Sequence, residues 1–262
     1  MTRNKGMRAG RARRGAVWLY GRHAVAAALA NPARRRLRLL AERDAGEPLA
    51  AHGPEIVDRD ALRRILPEGA VHQGLALLAE PLAQDGLEAV LDAARSRERA
   101  AAIVLDRVQD PQNVGAVLRS AAALGALALV MPDRHAPPET GALAKAASGA
   151  LESVPVIRVA NLARALARMK ANGLWCVGFD AGAGTELASG GLPDRSALVL
   201  GAEGRGLRRL TAERCDLLLR IPMAEGAASL NVSAAAAIAL YAHAQAAQPG
   251  QAGPSSASAS AP

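Results

Sequence analysis

The chain has 262 residues, half of them hydrophobic and only 2% aromatic, so it can build one large or two modest cores from Ala, Leu and Val and is not disordered overall. A formal charge of +8 and a pI near 10.6 point to a polyanionic partner, most simply nucleic acid. No uncharged apolar run reaches the roughly 18 residues of a membrane span. The two cysteines, Cys176 and Cys215, stand in no Cys-x-x-Cys pair or Cys/His cluster, which argues against a metal site and fits a reduced, cytoplasmic setting.

Residues 1–16 carry Arg3, Lys5, Arg8, Arg11, Arg13 and Arg14 and no acidic residue. This basic arm is expected to be disordered and solvated, and to contact phosphates when RNA is bound. Residues 17–82 then read as a small α/β unit. WLYGRHAVAAALAN is a short strand leading into an apolar helix that stops near Asn31-Pro32. LRLLAE is a strand, DRDALRRIL a helix capped by Asp58 or Asp60, and HQGLALLAEPL a closing strand. Residues 83–99 are polar with Leu87, Val90 and Leu91 at helical spacing, and suit a linker helix.

Residues 100–246 alternate strand and helix. AAIVLD, ALALVM, VPVIRV, LWCVGFD, SALVLGAEG and DLLLRIPM read as strands. NVGAVLRSAAALG, ETGALAKAASGA, NLARALARMKANG and SLNVSAAAAIALYAHA read as helices, the third with Asn161 as N-cap and Gly173 just past its end. This pattern predicts a parallel sheet covered by helices on both faces, with ligands at the carboxyl ends of its strands. Residues 247–262 are Pro/Ser/Ala-rich and expected to be a disordered tail.

Three segments, each at a strand exit, can carry chemistry. In LDRVQDPQNVGAVLRSAAALGA (105–126), Arg119 follows Asn113 by about 600°, or 240°, of helical rotation. The two converge only if Asn113 lies in the preceding loop. The neighbours Val117, Leu118, Ala121, Ala122 and Ala123 make a charge at Arg119 costly unless it is paired; the plainer reading is a surface charge. In LVLGAEGRGLRRL (198–210), glycines around Glu203 allow a close backbone approach to a ligand, or simply an ordinary turn. In RIPMAEGAASLNVSAAAAIALY (220–241), Ser229, Asn231 and Ser233 exceed what one helix cap needs.

These segments, with KAASGALESVPVIRVANLARAL (145–166), resemble the SpoU family, the knotted SPOUT-type (TrmH-class) RNA 2′-O-ribose methyltransferases. The match covers about 100–245, and IPM followed by SLNVS is its most specific part. YGRHAV and HQG resemble the ribosomal-protein-like RNA-binding domain of members that act on 23S ribosomal RNA. The resemblance implies an α/β sheet ending in a trefoil knot and a homodimer whose RNA site spans both subunits. It also implies the cofactor S-adenosyl-L-methionine, held by backbone groups of Gly201, Ile221 and Leu230. Asn113, Arg119, Glu203, Ser229 and Asn231 would form the catalytic site, with Glu203 positioning Arg119 or Asn113. Two features depart from the family. Glu225 stands where glycine is common, and the segment between LRLLAE and DRDAL is short by an apparent helix.

Other readings stay open. The substrate can be transfer RNA rather than ribosomal RNA, or the chain can be a non-catalytic RNA-binding assembly factor. FDAGAGTEL (179–187) resembles the glycine-rich loop of ordinary Rossmann enzymes, with ligand expected at Gly182 and Gly184. His23 and His72 are candidates for touching RNA, but packing or surface roles come first. The histidines form no visible ligand cluster.

Overall fold

The computed structural model describes residues 15–83, 85–187, 191–224, 226 and 229–245. The basic arm through Arg14, the tail and Glu225 lie outside the described residues. The elements of the first half are β1 (Val17–Tyr20), α1 (Arg22–Ala30), β2 (Arg36–Ala41), α2 (Arg43–Gly46), β3 (Glu55–Ile56), α3 (Arg59–Ile65), β4 (Leu75–Ala79), α4 (Leu87–Arg95), β5 (Ala100–Asp106) and α5 (Pro111–Ala123). They are followed by β6 (Leu129–Pro132), α6 (Gly141–Ala147), β7 (Val156–Val159), α7 (Leu162–Ala171), β8 (Trp175–Phe179), β9 (Thr185–Glu186), β10 (Arg195–Gly201), α8 (Arg209–Ala212), β11 (Leu217–Arg220) and α9 (Val232–Gln245).

Contacts divide the chain into two compact units. The first comprises Met1–Gln84, Gln109–Arg119 and Pro137–Ser153; the second comprises Asp85–Val108, Ser120–Ala136 and Val154–Pro262. The first unit therefore takes two segments that chain order alone assigns to the second block.

In the first unit the sheet order is β1-β4-β2-β3. Strand β4 runs antiparallel to β1 and β2, and β3 pairs parallel to β2. Asp58 starts α3 by accepting a hydrogen bond from the Ala61 amide at 2.7 Å. Tyr20, Leu40, Leu62, Leu66 and Ala76 form the core. The segment that looked short of a helix holds α2, a 3-10 turn at Glu47–His52 and β3.

Two glycines explain why the later segments join this unit. A Cβ on Gly141 would collide with the Trp18 carbonyl and the Tyr20 ring, so α6 lies directly on β1. A Cβ on Gly115 would sit 2.5 Å from the Leu143 carbonyl, so the first turns of α5 lie directly on α6. Buried Arg34 completes the unit, donating to Glu152 at 2.6 Å, to Glu139 at 2.6 Å and to the Glu80 carbonyl at 2.9 Å. Its charge is thus offset on several sides, as a buried guanidinium requires.

The second unit is an α/β structure around a seven-stranded sheet in the order β7-β6-β5-β10-β8-β11-β9. Every pairing in it is parallel. The interior strand β5 is buried at all seven residues, which accounts for its unbroken apolar run. Helix α7 is specified locally. Asn161 accepts from the Arg164 amide at 3.0 Å, Gly173 supplies φ +83°, and Leu162, Ala165, Leu166 and Met169 form its buried stripe. Helix α4, expected to be a linker, places Leu87, Val90, Leu91 and Ala94 in the same core.

Candidate active site

The parallel register brings several strand exits to one level. Gly201 pairs with Asp106, Leu200 with Phe179, and Leu219 with Phe179. Beyond these carboxyl ends lies a cavity of 540 Å³, within the second unit. Its walls are Phe179, Asp180 and Ala181 after β8, Leu200–Gly206 at the exit of β10, Ile221 and Met223 after β11, and Ser229, Leu230, Val232 and Ala235 around the start of α9. Gly201, Ile221 and Leu230, distant in sequence, therefore meet at one cavity, with Glu203 and Ser229 beside them.

The loop after β10 closes on itself. The Gly206 amide donates to the Ala202 carbonyl at 2.9 Å, and Gly204 and Gly206 take φ +71° and +61°. A Cβ on Gly201 would run into the Gly206 carbonyl, so the turn requires glycine there. The far end of the loop is held by Asp106, which is 1% exposed. Its carboxylate accepts from Arg208 Nε at 2.7 Å, from Thr211 Oγ1 at 2.6 Å and from the Arg208 amide at 3.3 Å. Sequence reasoning missed Asp106, although a carboxylate closing a wholly buried strand needs partners.

Glu203 joins this loop to α9. Its Oε1 accepts from Asn231 Nδ2 at 2.6 Å and from the Val232 amide at 3.3 Å. A carboxylate there satisfies a first-turn amide and complements the positive end of the helix dipole. Asn231 is the cap, with its Oδ1 accepting from the Ser233 amide at 2.8 Å and from Ser233 Oγ at 2.5 Å. Ser229 is exposed and lines the cavity.

Asn113 and Arg119 are not among the cavity's walls. Asn113 is the third residue of α5 and thus helical, so the condition for it and Arg119 to converge on one stripe is not met. The expected cost of a charge at Arg119 is also corrected. The helix buries Val114, Val117, Leu118 and Ala121, whereas Arg119, Ala122 and Ala123 are exposed to water, which solvates a guanidinium that has no partner among the described residues.

The FDAGAG segment contributes to this same cavity through Phe179, Asp180 and Ala181, while Gly182 and Gly184 do not line it. His72 is a packing residue. It is 6% exposed, its Nδ1 accepts from the Gly74 amide at 3.1 Å, and burial pushes its pKa down against an opposing pull from Glu42. Burial pushes both thiols up to about 12, so neither is reactive. Among the described residues no group of His, Cys, Asp and Glu is placed to hold a metal, and no helix is long and apolar enough to cross a membrane.

The sequence model of the SpoU rRNA Methylase family matches residues 100–241. The chain belongs to the SpoU family. Its relatives include the 23S rRNA (guanosine-2′-O-)-methyltransferase RlmB of Salmonella typhimurium, to which this SpoU chain is 40% identical over 232 residues, covering 85% of this chain and 96% of that protein. RlmB of Escherichia coli K12 gives the same identity and coverage. The SpoU methyltransferase AviRb from Streptomyces viridochromogenes, solved in complex with AdoMet, is similar in fold, with a TM-score of 0.74 at 26% identity over 88% of this chain and 90% of that one.

Proposed function

We propose that this SpoU-family chain methylates a ribose 2′-hydroxyl of 23S ribosomal RNA, at a guanosine of the peptidyl-transferase loop, using S-adenosylmethionine. The observation that carries this is the meeting of Gly201, Ile221 and Leu230 at one cavity beyond the carboxyl ends of parallel strands. Its size suits a nucleoside-bearing ligand. The missing Cβ at Gly201 lets the Gly206 backbone close the turn that forms one wall, and among the described residues the walls are apolar apart from Asp180, Glu203, Arg205 and Ser229. The cofactor fits this setting: Gly201, Ile221 and Leu230 would hold its adenine and ribose, and when bound it supplies a methyl group on a cationic sulfur.

The chain's own part is to hold and orient. Glu203, Asn231 and the turn at Gly201 fix the cavity wall, and Ser229 offers a hydroxyl within it. Arg119 is read as an electrostatic group and not as a base, because a guanidinium is a donor with no lone pair to offer. It instead grips the neighbouring phosphate and stabilises negative charge developing on the sugar oxygen, while Asn113, on another stripe of the same helix, contacts the substrate separately. The hydroxyl proton leaves through water or a phosphate oxygen.

In this reading residues 17–82 are the ribosomal-protein-like RNA-binding domain, 83–99 a linker whose helix α4 packs into the core of the second unit, and 100–246 the methyltransferase domain. The enzyme works in the cytoplasm as a homodimer. A trefoil knot closes the C-terminal part of the sheet; what supports it is the strand order, with β10 between β5 and β8 and β11 between β8 and β9.

The test is mass mapping of 2′-O-methyl groups in RNA from cells with and without the gene, paired with calorimetry of S-adenosylmethionine on the purified chain. Loss of one guanosine mark in 23S rRNA is expected. Loss of a tRNA mark instead would change the substrate, and no lost mark with no cofactor binding would leave an RNA-binding assembly factor.

A further inference from the structure

Asp180 follows β8 immediately, and its place is fixed twice. Its amide donates to the Leu219 carbonyl at 3.0 Å, which seats it beside β11. Its Oδ1 accepts from the Gly182 amide at 2.8 Å, which orients the carboxylate. The other oxygen, Oδ2, has no hydrogen-bond partner among the described residues. Gly206 faces it: a Cβ built there would lie 3.4 Å from Oδ2, so the glycine leaves this oxygen open. Asp180 lines the cavity that also takes in Gly201, Ile221 and Leu230.

Among the described residues, the charged side chains lining that cavity are Asp180, Glu203 and Arg205. Glu203 is committed to Asn231 and the start of α9. Asp180 is therefore the wall carboxylate with an uncommitted oxygen. An ionised carboxylate only accepts hydrogen bonds. A ligand that covers Oδ2 without presenting a donor would strand a charge away from water, at large cost. S-adenosylmethionine carries donors at its adenine amino group, at its ribose hydroxyls and at its amino-acid ammonium.

We infer that Asp180 is a cofactor-binding residue, its Oδ2 accepting a hydrogen bond from a donor of S-adenosylmethionine. This rests on the proposed use of the cavity for that cofactor. The locally held carboxylate is preorganised, so little ordering cost falls on binding.

The experiment is isothermal calorimetry with three titrants: S-adenosylmethionine, methylthioadenosine, which lacks the amino-acid end, and a 2′- or 3′-deoxyribose analogue. They are added to the full chain and to Asp180→Asn and Asp180→Ser. Both replacements keep a side-chain oxygen for the Gly182 amide and remove the anionic acceptor. Melting temperatures without ligand confirm folding, and Asp180→Ser serves if Asp180→Asn does not fold. The dissociation constant for S-adenosylmethionine is expected to rise by about tenfold or more, the loss of one charged hydrogen bond. A loss seen equally with methylthioadenosine and absent with a deoxy analogue assigns the ribose hydroxyl. A loss confined to S-adenosylmethionine and the deoxy analogues assigns the ammonium, and an equal loss with all three titrants assigns the adenine amino group. Unchanged affinity in folded variants overturns the inference while leaving the cavity's use intact. A wild-type chain that binds no S-adenosylmethionine overturns that use, and this inference with it.

Discussion

A guanidinium and an ammonium carry the same charge, and the role proposed for Arg119 depends on their not being interchangeable. Arg119 is exposed on α5 with no protein partner among the described residues, so its fork of donors is available to RNA. A lysine can neutralise a phosphate but cannot span two oxygens in a plane. Arg119→Lys is therefore expected to keep RNA affinity within a few-fold and to lose about 100-fold in single-turnover rate, the effect of removing one preorganised donor. Filter binding and single-turnover methylation measure the two separately; a wild-type rate would exclude the bidentate role. Its exposure also shows what a sequence window hides. Small apolar neighbours suggest burial, but Ala122 and Ala123 are themselves solvent-facing, and alanine sits at little cost on either face of a helix.

Among the elements, the loop between β10 and α8 depends on anchors at both ends. Gly201 is held in the sheet opposite Asp106, and Asp106 in turn holds Arg208 and Thr211. Asp106→Ala removes the acceptor from a buried threonine hydroxyl and a half-exposed arginine, which is expected to lower unfolding stability by about 2–3 kcal/mol. It should also weaken cofactor affinity, because Glu203 and the walls at Gly201–Gly206 lie between those anchors. Urea unfolding and calorimetry check both effects. Thr211→Val, which removes a single hydroxyl, should give the same direction with a smaller size. An Asp106→Ala protein of unchanged stability would show that the contacts are incidental.

For the whole molecule, the second unit leaves Leu218 on β11 and Ile238 and Tyr241 on α9 exposed at 38%, 37% and 56%. Helix α9 buries Val232, Ala236, Ala239, Leu240 and His243 on one face, so Ile238 and Tyr241 mark its other side. A homodimer would cover such residues, and apolar side chains removed from water stabilise association. Sedimentation of the wild-type chain at micromolar concentration is expected to give a dimer, and Ile238→Asp with Tyr241→Asp to give a folded monomer with little methylation of RNA. A wild-type monomer would remove the homodimer from the proposal.

Much of this was legible before any coordinates. Caps at Asp58 and Asn161, the turn at Gly173 and the apolar run of β5 are local signals, set by backbone sterics, hydrogen-bonding side chains and burial over a few residues. The three segments at strand exits were also visible, because glycine and small polar residues interrupt otherwise apolar stretches. Only the tertiary structure decided that α6 and the first turns of α5 pack by glycines within the first unit, that α4 belongs to a core, that Asp106 anchors the loop and that Asp180 lines the cavity. Those facts depend on residues about a hundred positions apart coming together, as Asp106 and Arg208 do. A window along the chain carries no record of which strands become neighbours, since parallel pairing is settled by crossovers and burial across the whole sheet.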